Sequence, residues 1–234
     1  MPLAISPITI HDTLAWTRIR SLAYRGPLHE LIHRGPITDT SIHKVAQDRQ
    51  NEIGEPNAWQ WKVVDTDLPP SDDDPKDNGG RTIAIAIWSA HNFSEITKEQ
   101  NGPDDIASSR GEQAQPFVPP EVRLDVLTAV FQPLEAAEEE IMGKDVPYLK
   151  LKTLATHPEH QGRGAGKILI EWGLKKADEE GLRCYLCATR MGLNLYKKVG
   201  FEMVKSVTFD MGPWGREGED WWACMTREVG GKKD

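Results

Sequence analysis

The feature that most narrows what this chain can fold into is Gln161-Gly162-Arg163-Gly164-Ala165-Gly166, which joins a strand-like segment to a helical one. Glycines at such spacing open backbone angles closed to other residues and let a ligand reach the main chain. The first turn of the following helix leaves several N–H groups without internal partners, with their dipoles aligned. A diphosphate can therefore be held there by backbone alone, and Arg163 can add a charge. Two competing phosphate motifs fail on register. A P-loop needs four residues between its first glycine and Gly-Lys, then Ser or Thr. Here Gly162 and Gly166 enclose three residues, and Ile168 follows Lys167. A dinucleotide fingerprint reads G-x-G-x-x-G, whereas this run reads G-x-G-x-G and comes late in the chain.

The pattern around the turn is regular. Tyr148–Thr156 reads as a strand, and residues 164–180 as a helix with Ala165, Ile168, Leu169 and Trp172 on one stripe and Gly181 at its C′ position. Leu182–Thr189 reads as a strand, Gly192–Val199 as a short helix, and 201–211 and 220–229 as closing strands. A helix between two strands predicts a parallel crossover inside an otherwise mixed sheet. Upstream, Leu3–Ile10 reads as a strand and His11–Arg25 as a helix capped by Asp12 or Thr13. A more polar helix follows near Thr40–Gln50. Strands at Trp59–Asp67 and Arg81–Ala90 then flank a solvated hairpin loop at 68–80. Residues 91–120 are poor in large apolar side chains and read as an insertion. Glu121–Met142 reads as helical, broken into two pieces at Pro133.

Gln161, Gly164 and Gly166 satisfy the signature Q/R-x-x-G-x-G/A. Leu154-Ala155-Thr156-His157-Pro158 precedes it, and Asn194-Leu195-Tyr196-Lys197-Lys198-Val199-Gly200-Phe201 follows it. On these residues the chain resembles the GNAT superfamily of N-acetyltransferases, closely over 148–204 and loosely over 1–90 and 205–229. The resemblance implies an α/β fold with a mixed, mostly antiparallel central sheet, a V-shaped splay and helices on both faces. It implies one domain, 1–234, with a loop and helix insertion at 91–146 and the coenzyme-binding core at 148–204. Acetyl-coenzyme A is the implied cosubstrate, and no metal is expected. Leu154, Ala155 and Thr156 would meet the pantetheine arm through their backbone. Gln161, Gly162, Arg163, Gly164, Ala165 and Gly166 would cradle the diphosphate. Asn194 would fix the arm, and Tyr196 would act as general acid.

The implied reaction is direct attack by a primary amine: a small amine, an amino sugar or a peptide amine. A module that binds acyl-coenzyme A and senses it would share the glycine turn. Tyr196 and Asn194 favour the enzyme. The absence of a carboxylate in Tyr148–Thr156, where Lys150 and Lys152 stand, favours the module and leaves the general base unassigned. His157 and His160 read as turn-fixing or exposed residues.

The net charge of −8 opposes nonspecific nucleic-acid binding, though it could draw in a cationic acceptor. No stretch approaches the roughly 20 apolar residues of a membrane span, and no basic-then-apolar leader opens the sequence. Three cysteines make no disulfide framework, so a cytoplasmic setting is expected, with the nucleus also allowed. Cys184 and Cys187, three apart on a strand, would face opposite sides and serve packing. Trp214, Trp221 and Trp222 read as core or as a homodimer contact through the C-terminal strands. Asp72-Asp73-Asp74 reads as solvated loop and Glu138–Glu140 as one exposed helix face. His29, His33 and His43 lack ligand spacing.

Overall fold

The computed structural model describes residues 2–93 and 116–231. Most of the insertion read at 91–120 lies outside the described residues. Seven strands form one sheet in the order β1-β2-β3-β4-β5-β7-β6. They are β1 (Leu3–Pro7), β2 (Ala58–Asp65), β3 (Arg81–His91), β4 (Tyr148–Thr156), β5 (Arg183–Ala188), β6 (Glu202–Asp210) and β7 (Glu219–Arg227). Every neighbouring pair is antiparallel except β4 and β5. The helices are α1 (Thr13–Ala23), α2 (Pro27–Ile32), α3 (Asp39–Arg49), α4 (Leu124–Met142), α5 (Ala165–Glu180) and α6 (Leu193–Lys198).

Binary patterning sets the layers. Ile83, Ala84, Ala86 and Trp88 of β3 join Leu149 and Leu151 of β4 and Leu169, Ile170 and Leu174 of α5 in one buried cluster. On the other face Trp16 and Ile19 of α1 pack on Ile85, Ile87 and Ala155, and Leu134 and Ala137 of α4 pack on Tyr148, Tyr185 and Cys224. Helix α5 comes closest at Gly173, where an added Cβ would stand 2.1 Å from the ring of the fully buried Trp88. Gly181 ends α5 with φ of 66°, a left-handed angle that glycine adopts without penalty.

Several sequence expectations need correction. Pro133 does not split α4, which runs unbroken over 19 residues. The proline ring is exposed, while Val126, Val130, Leu134, Ala137 and Met142 keep one buried stripe across it. Packing of that stripe outweighs one lost backbone bond. Glu138, Glu139 and Glu140 do not share a face, because successive helical residues turn by about 100°. Glu138 is buried, accepting from Tyr148 Oη at 2.8 Å and pairing with Lys150. Asp12 stands at the N-cap of α1 without capping it. Its carboxylate instead accepts from Thr9 N and Oγ1 (2.7 and 2.8 Å) and from Lys62 Nζ at 2.5 Å. The 68–80 hairpin loop is tied down: Asp73 accepts from Arg18 at 3.0 Å, and Asn78 donates to Gly80 O at 2.8 Å. Helix α2 was not legible at all. Its six residues are too few for periodicity to register, and Pro27 and Gly26 are what begin it.

Candidate active site

Two irregularities in β4 shape the site. The strand pairs with β5 only through Tyr148, Lys150 and the residue between them, opposite Arg183, Cys184 and Tyr185. From Leu151 onward its β5-facing edge has no ladder partner among the described residues, while Leu154, Ala155 and Thr156 stay paired to Ala86, Ile85 and Ala84 of β3 on the other side. The second irregularity is a bulge. Ile87 and Trp88, adjacent on β3, oppose Thr153 and Leu151, so Lys152 is the extra residue. A bulge re-aims the side chains beyond it. Leu154 therefore packs with the α5 cluster and Ala155 with the α1 cluster.

The unpaired edge runs directly into the glycine turn. Gly162 and Gly164 adopt φ of 74° and 90°. The N–H groups of Gly162, Gly164, Ala165, Gly166 and Lys167 meet no acceptor among the described residues. The first backbone bond of α5 is Ile168 N to Gly164 O at 3.1 Å. A Cβ on Gly166 would lie 3.7 Å from Leu195, 3.8 Å from Leu154 and 3.8 Å from Thr156. The end of β4, the first turn of α5 and α6 thus converge on one point. Gln161 and Asn194 are exposed beside it.

The Arg163 side chain has a structural task. Its guanidinium pairs with the buried Asp65 at the end of β2 and contacts His160 Nδ1 at 2.9 Å. That hydrogen bond from Arg163 is the main reason the Asp65 carboxyl sits below its ordinary pKa. His157 Nδ1 accepts from Glu159 N at 3.3 Å, as expected of a residue fixing a turn. His157, Glu159 and His160 bring ligand-type atoms within 4.8 Å of one another. Both Nδ1 atoms are already engaged.

Tyr196 is buried on α6, its ring edge-on to Phe201 at 5.9 Å. Gly192 makes room for it, since a Cβ there would come within 2.7 Å of the ring. Burial, with Tyr24 nearby, raises the Tyr196 pKa well above its usual value, so the hydroxyl stays protonated at neutral pH. Tyr24, the residue ending α1, was not singled out by sequence. Its hydroxyl lies beside the Thr153 side chain and the Leu154 backbone, and burial raises its pKa too. Glu52, also missed, follows α3. Burial raises its pKa, against the opposing charges of Arg49 and Lys152. Nothing local marks either residue: each reaches β4 through folding of the first three helices.

The tempting features resolve blandly. Cys184 faces the α5 cluster and Cys187 the α4 cluster, as strand alternation requires. Burial pushes the Cys184 thiol up to about 12. Trp214, Trp221 and Trp222 all pack against core clusters. An open cleft of about 690 Å³ between α1, α2 and the start of α3 contains none of the residues of the splay or the turn.

Comparison with known proteins agrees with this geometry. Residues 130–203 match the family described as Acetyltransferase (GNAT) domain. Over 40 residues the chain is 48% identical to "Probable acyltransferase SID5" of Ajellomyces capsulatus, a match spanning 17% of this chain and 29% of that relative's length. Similar solved structures include the C-terminal condensation domain of Ebony in complex with beta-alanyl-dopamine, with TM-score 0.64, 15% identity and coverage of 98% of this chain and 100% of that one. Polyamine N-acetyltransferase of Drosophila melanogaster superposes with TM-score 0.57 at 10% identity, covering 97% and 100%. Arabidopsis thaliana NAA60 in complex with acetyl-CoA gives 0.55 at 13%, covering 98% and 100%. At such identities these structures speak to fold. The mixed sheet and its flanking helices share the fold of these structures. The likeness to the GNAT acetyltransferase family is carried in sequence by residues 130–203, and in fold by the mixed seven-stranded sheet.

Proposed function

We propose that this protein transfers acetyl from acetyl-coenzyme A to a primary amine by direct attack. One observation carries the reading: five backbone N–H groups without described acceptors, from Gly162 to Lys167, lie at the end of a strand edge that lacks a neighbour. Unpartnered main-chain donors at a helix start suit a diphosphate, and an open strand edge suits the amide-bearing pantetheine arm. Leu154, Ala155 and Thr156 offer that edge, Gln161 to Gly166 the cradle, and Asn194 a side-chain contact beyond it.

The chemistry follows from proton bookkeeping. A free amine has a pKa of about 10 and must lose a proton before it attacks. Glu52 is the carboxylate we assign as its base, because it lies within electrostatic reach of Lys152 at the bulge and burial raises its pKa. Attack on the thioester carbonyl forms a C–N bond and an oxyanion, which a β4 N–H near the bulge can stabilise. As the C–S bond breaks, Tyr196 gives its proton to the departing thiolate. The amine is a small molecule or a peptide terminus.

Calorimetry with acetyl-coenzyme A and thiol release across a panel of amines test the reading together. Micromolar binding and amine-dependent thiol release are expected. Gly164→Val should lower coenzyme affinity about tenfold or more by imposing a φ that side chains avoid. Binding without release for any amine would leave a sensing module, and no binding would remove the reading altogether.

A further inference from the structure

Helix α3 holds a buried arginine without an ion-pair partner among the described residues. Arg49, near the end of α3, is only 9% exposed, yet no carboxylate among the described residues lies within ion-pair distance of it. Its Nε meets no acceptor. The guanidinium stacks on Trp16, with Cζ 4.3 Å from the ring centroid, and the Trp16 Nε1 is itself buried without an acceptor. Stacking uses the face of a guanidinium and leaves its in-plane donors open. Two adjacent buried donors lacking acceptors are uncommon in a folded protein and call for a cause.

The surroundings supply one. Trp16, Arg20 and Tyr24 recur every fourth residue of α1 and so form one stripe. Arg20 lies over the Tyr24 ring at 5.4 Å, and the Tyr24 hydroxyl lies beside Thr153 and Leu154 on β4. Arg20 has no ion-pair partner among the described residues either. Glu52 is within electrostatic reach of both arginines but bonds to neither. Two guanidinium groups thus stand in the α1–α3 layer that reaches Thr153 and Leu154 of β4 through Tyr24, in a chain whose net charge is −8.

Resting on the acetyl-transfer reading above, we infer that Arg49 and Arg20 form an anion subsite and that the acceptor is an amine bearing a carboxylate. A carboxylate held in the plane of Arg49 supplies the acceptors its donors lack. The amine end of the same molecule then turns toward Glu52 and the bulge. An amine with a second positive charge, such as a polyamine, is disfavoured by both arginines.

The test compares β-alanine with 3-aminopropanamide, phosphoethanolamine with ethanolamine, and includes putrescine, all with acetyl-coenzyme A. The carboxylate amine is expected to exceed its amide at least tenfold in kcat/KM. Arg49→Gln should erase that preference, chiefly through KM for the acid, while leaving KM for acetyl-coenzyme A within twofold. Arg20→Gln, at an exposed position, should reduce the preference and guards against an Arg49 variant that fails to fold. Calorimetric binding of glutarate to the same proteins, with and without coenzyme, gives a readout independent of turnover. Loss of glutarate binding in both variants supports the subsite even if acetyl transfer fails. A preference for putrescine or the amide, no glutarate binding, or equal binding in the variants overturns it. A preference for phosphoethanolamine alone would make the anion a phosphate and overturn the carboxylate. A preference for succinyl- over acetyl-coenzyme A with a neutral amine would place the carboxylate on the acyl group instead.

Discussion

Tyr196 donates in the proposed reaction because its surroundings refuse the phenolate: the ring is enclosed by Phe201 and the Gly192 turn, and burial favours the neutral hydroxyl. Tyr196→Phe should lower kcat by about 10²-fold, the scale of one lost proton donor, with little change in the KM for acetyl-coenzyme A. Equal loss in both parameters would make the residue a binding group. Glu52 works in the opposite sense. A base must be deprotonated, so kcat/KM should rise with pH through its pKa, and burial moves that rise to higher pH than an exposed glutamate would give. Glu52→Gln should flatten the acidic limb, and a limb that persists unchanged would assign the proton to another group. Tyr196 could be proposed from sequence because Asn194-x-Tyr196 is contiguous there. Glu52, Tyr24 and Arg49 could not, since their significance lies in a meeting with β4 that only the chain path creates.

At the scale of elements, α5 and β3 show how a site is held by packing beneath it. Gly173 exists because the Trp88 ring lies against the helix backbone, where Trp88 Nε1 also donates to Leu169 O at 3.4 Å. Replacing glycine by alanine inside a helix ordinarily gains about 1 kcal/mol. Here the added methyl collides with a buried indole, and overpacking costs about 1–3 kcal/mol. The collision should win, so Gly173→Ala is expected to lower the urea midpoint and to weaken coenzyme binding through tilt of the α5 start. A raised midpoint would mean that the ring can move aside. Strands and helices with clean periodicity, such as β4 and α5, were read nearly to the residue. The reading failed where one residue was taken to decide an element. Pro133 could not break a helix whose apolar stripe continues past it, and Glu138 could not be judged exposed from its charge when Tyr148 and Lys150 were waiting across the sheet.

For the whole molecule, the tie between Arg163 and Asp65 matters because it spans 98 residues of sequence, fastening the glycine turn to the second strand. No helix among the described residues is long and apolar enough to cross a membrane. Among the described residues the sheet ends in two edge strands, β1 and β6. Trp214, Trp221 and Trp222 pack half-buried against core clusters, and sedimentation tests whether the C-terminal strands also carry a dimer.

The brevity of the contact between β4 and β5 has a mechanical result. Three residue pairs make a narrow neck between two leaves, one of four strands and one of three, with α5 as the connecting strap. A coenzyme wedged into the mouth would supply the rungs that the ladder omits and lock the leaves at one angle. Amide protons of residues 151–156 should then exchange with solvent markedly more slowly once acetyl-coenzyme A is bound, while those of the β1–β2 pair keep their rates.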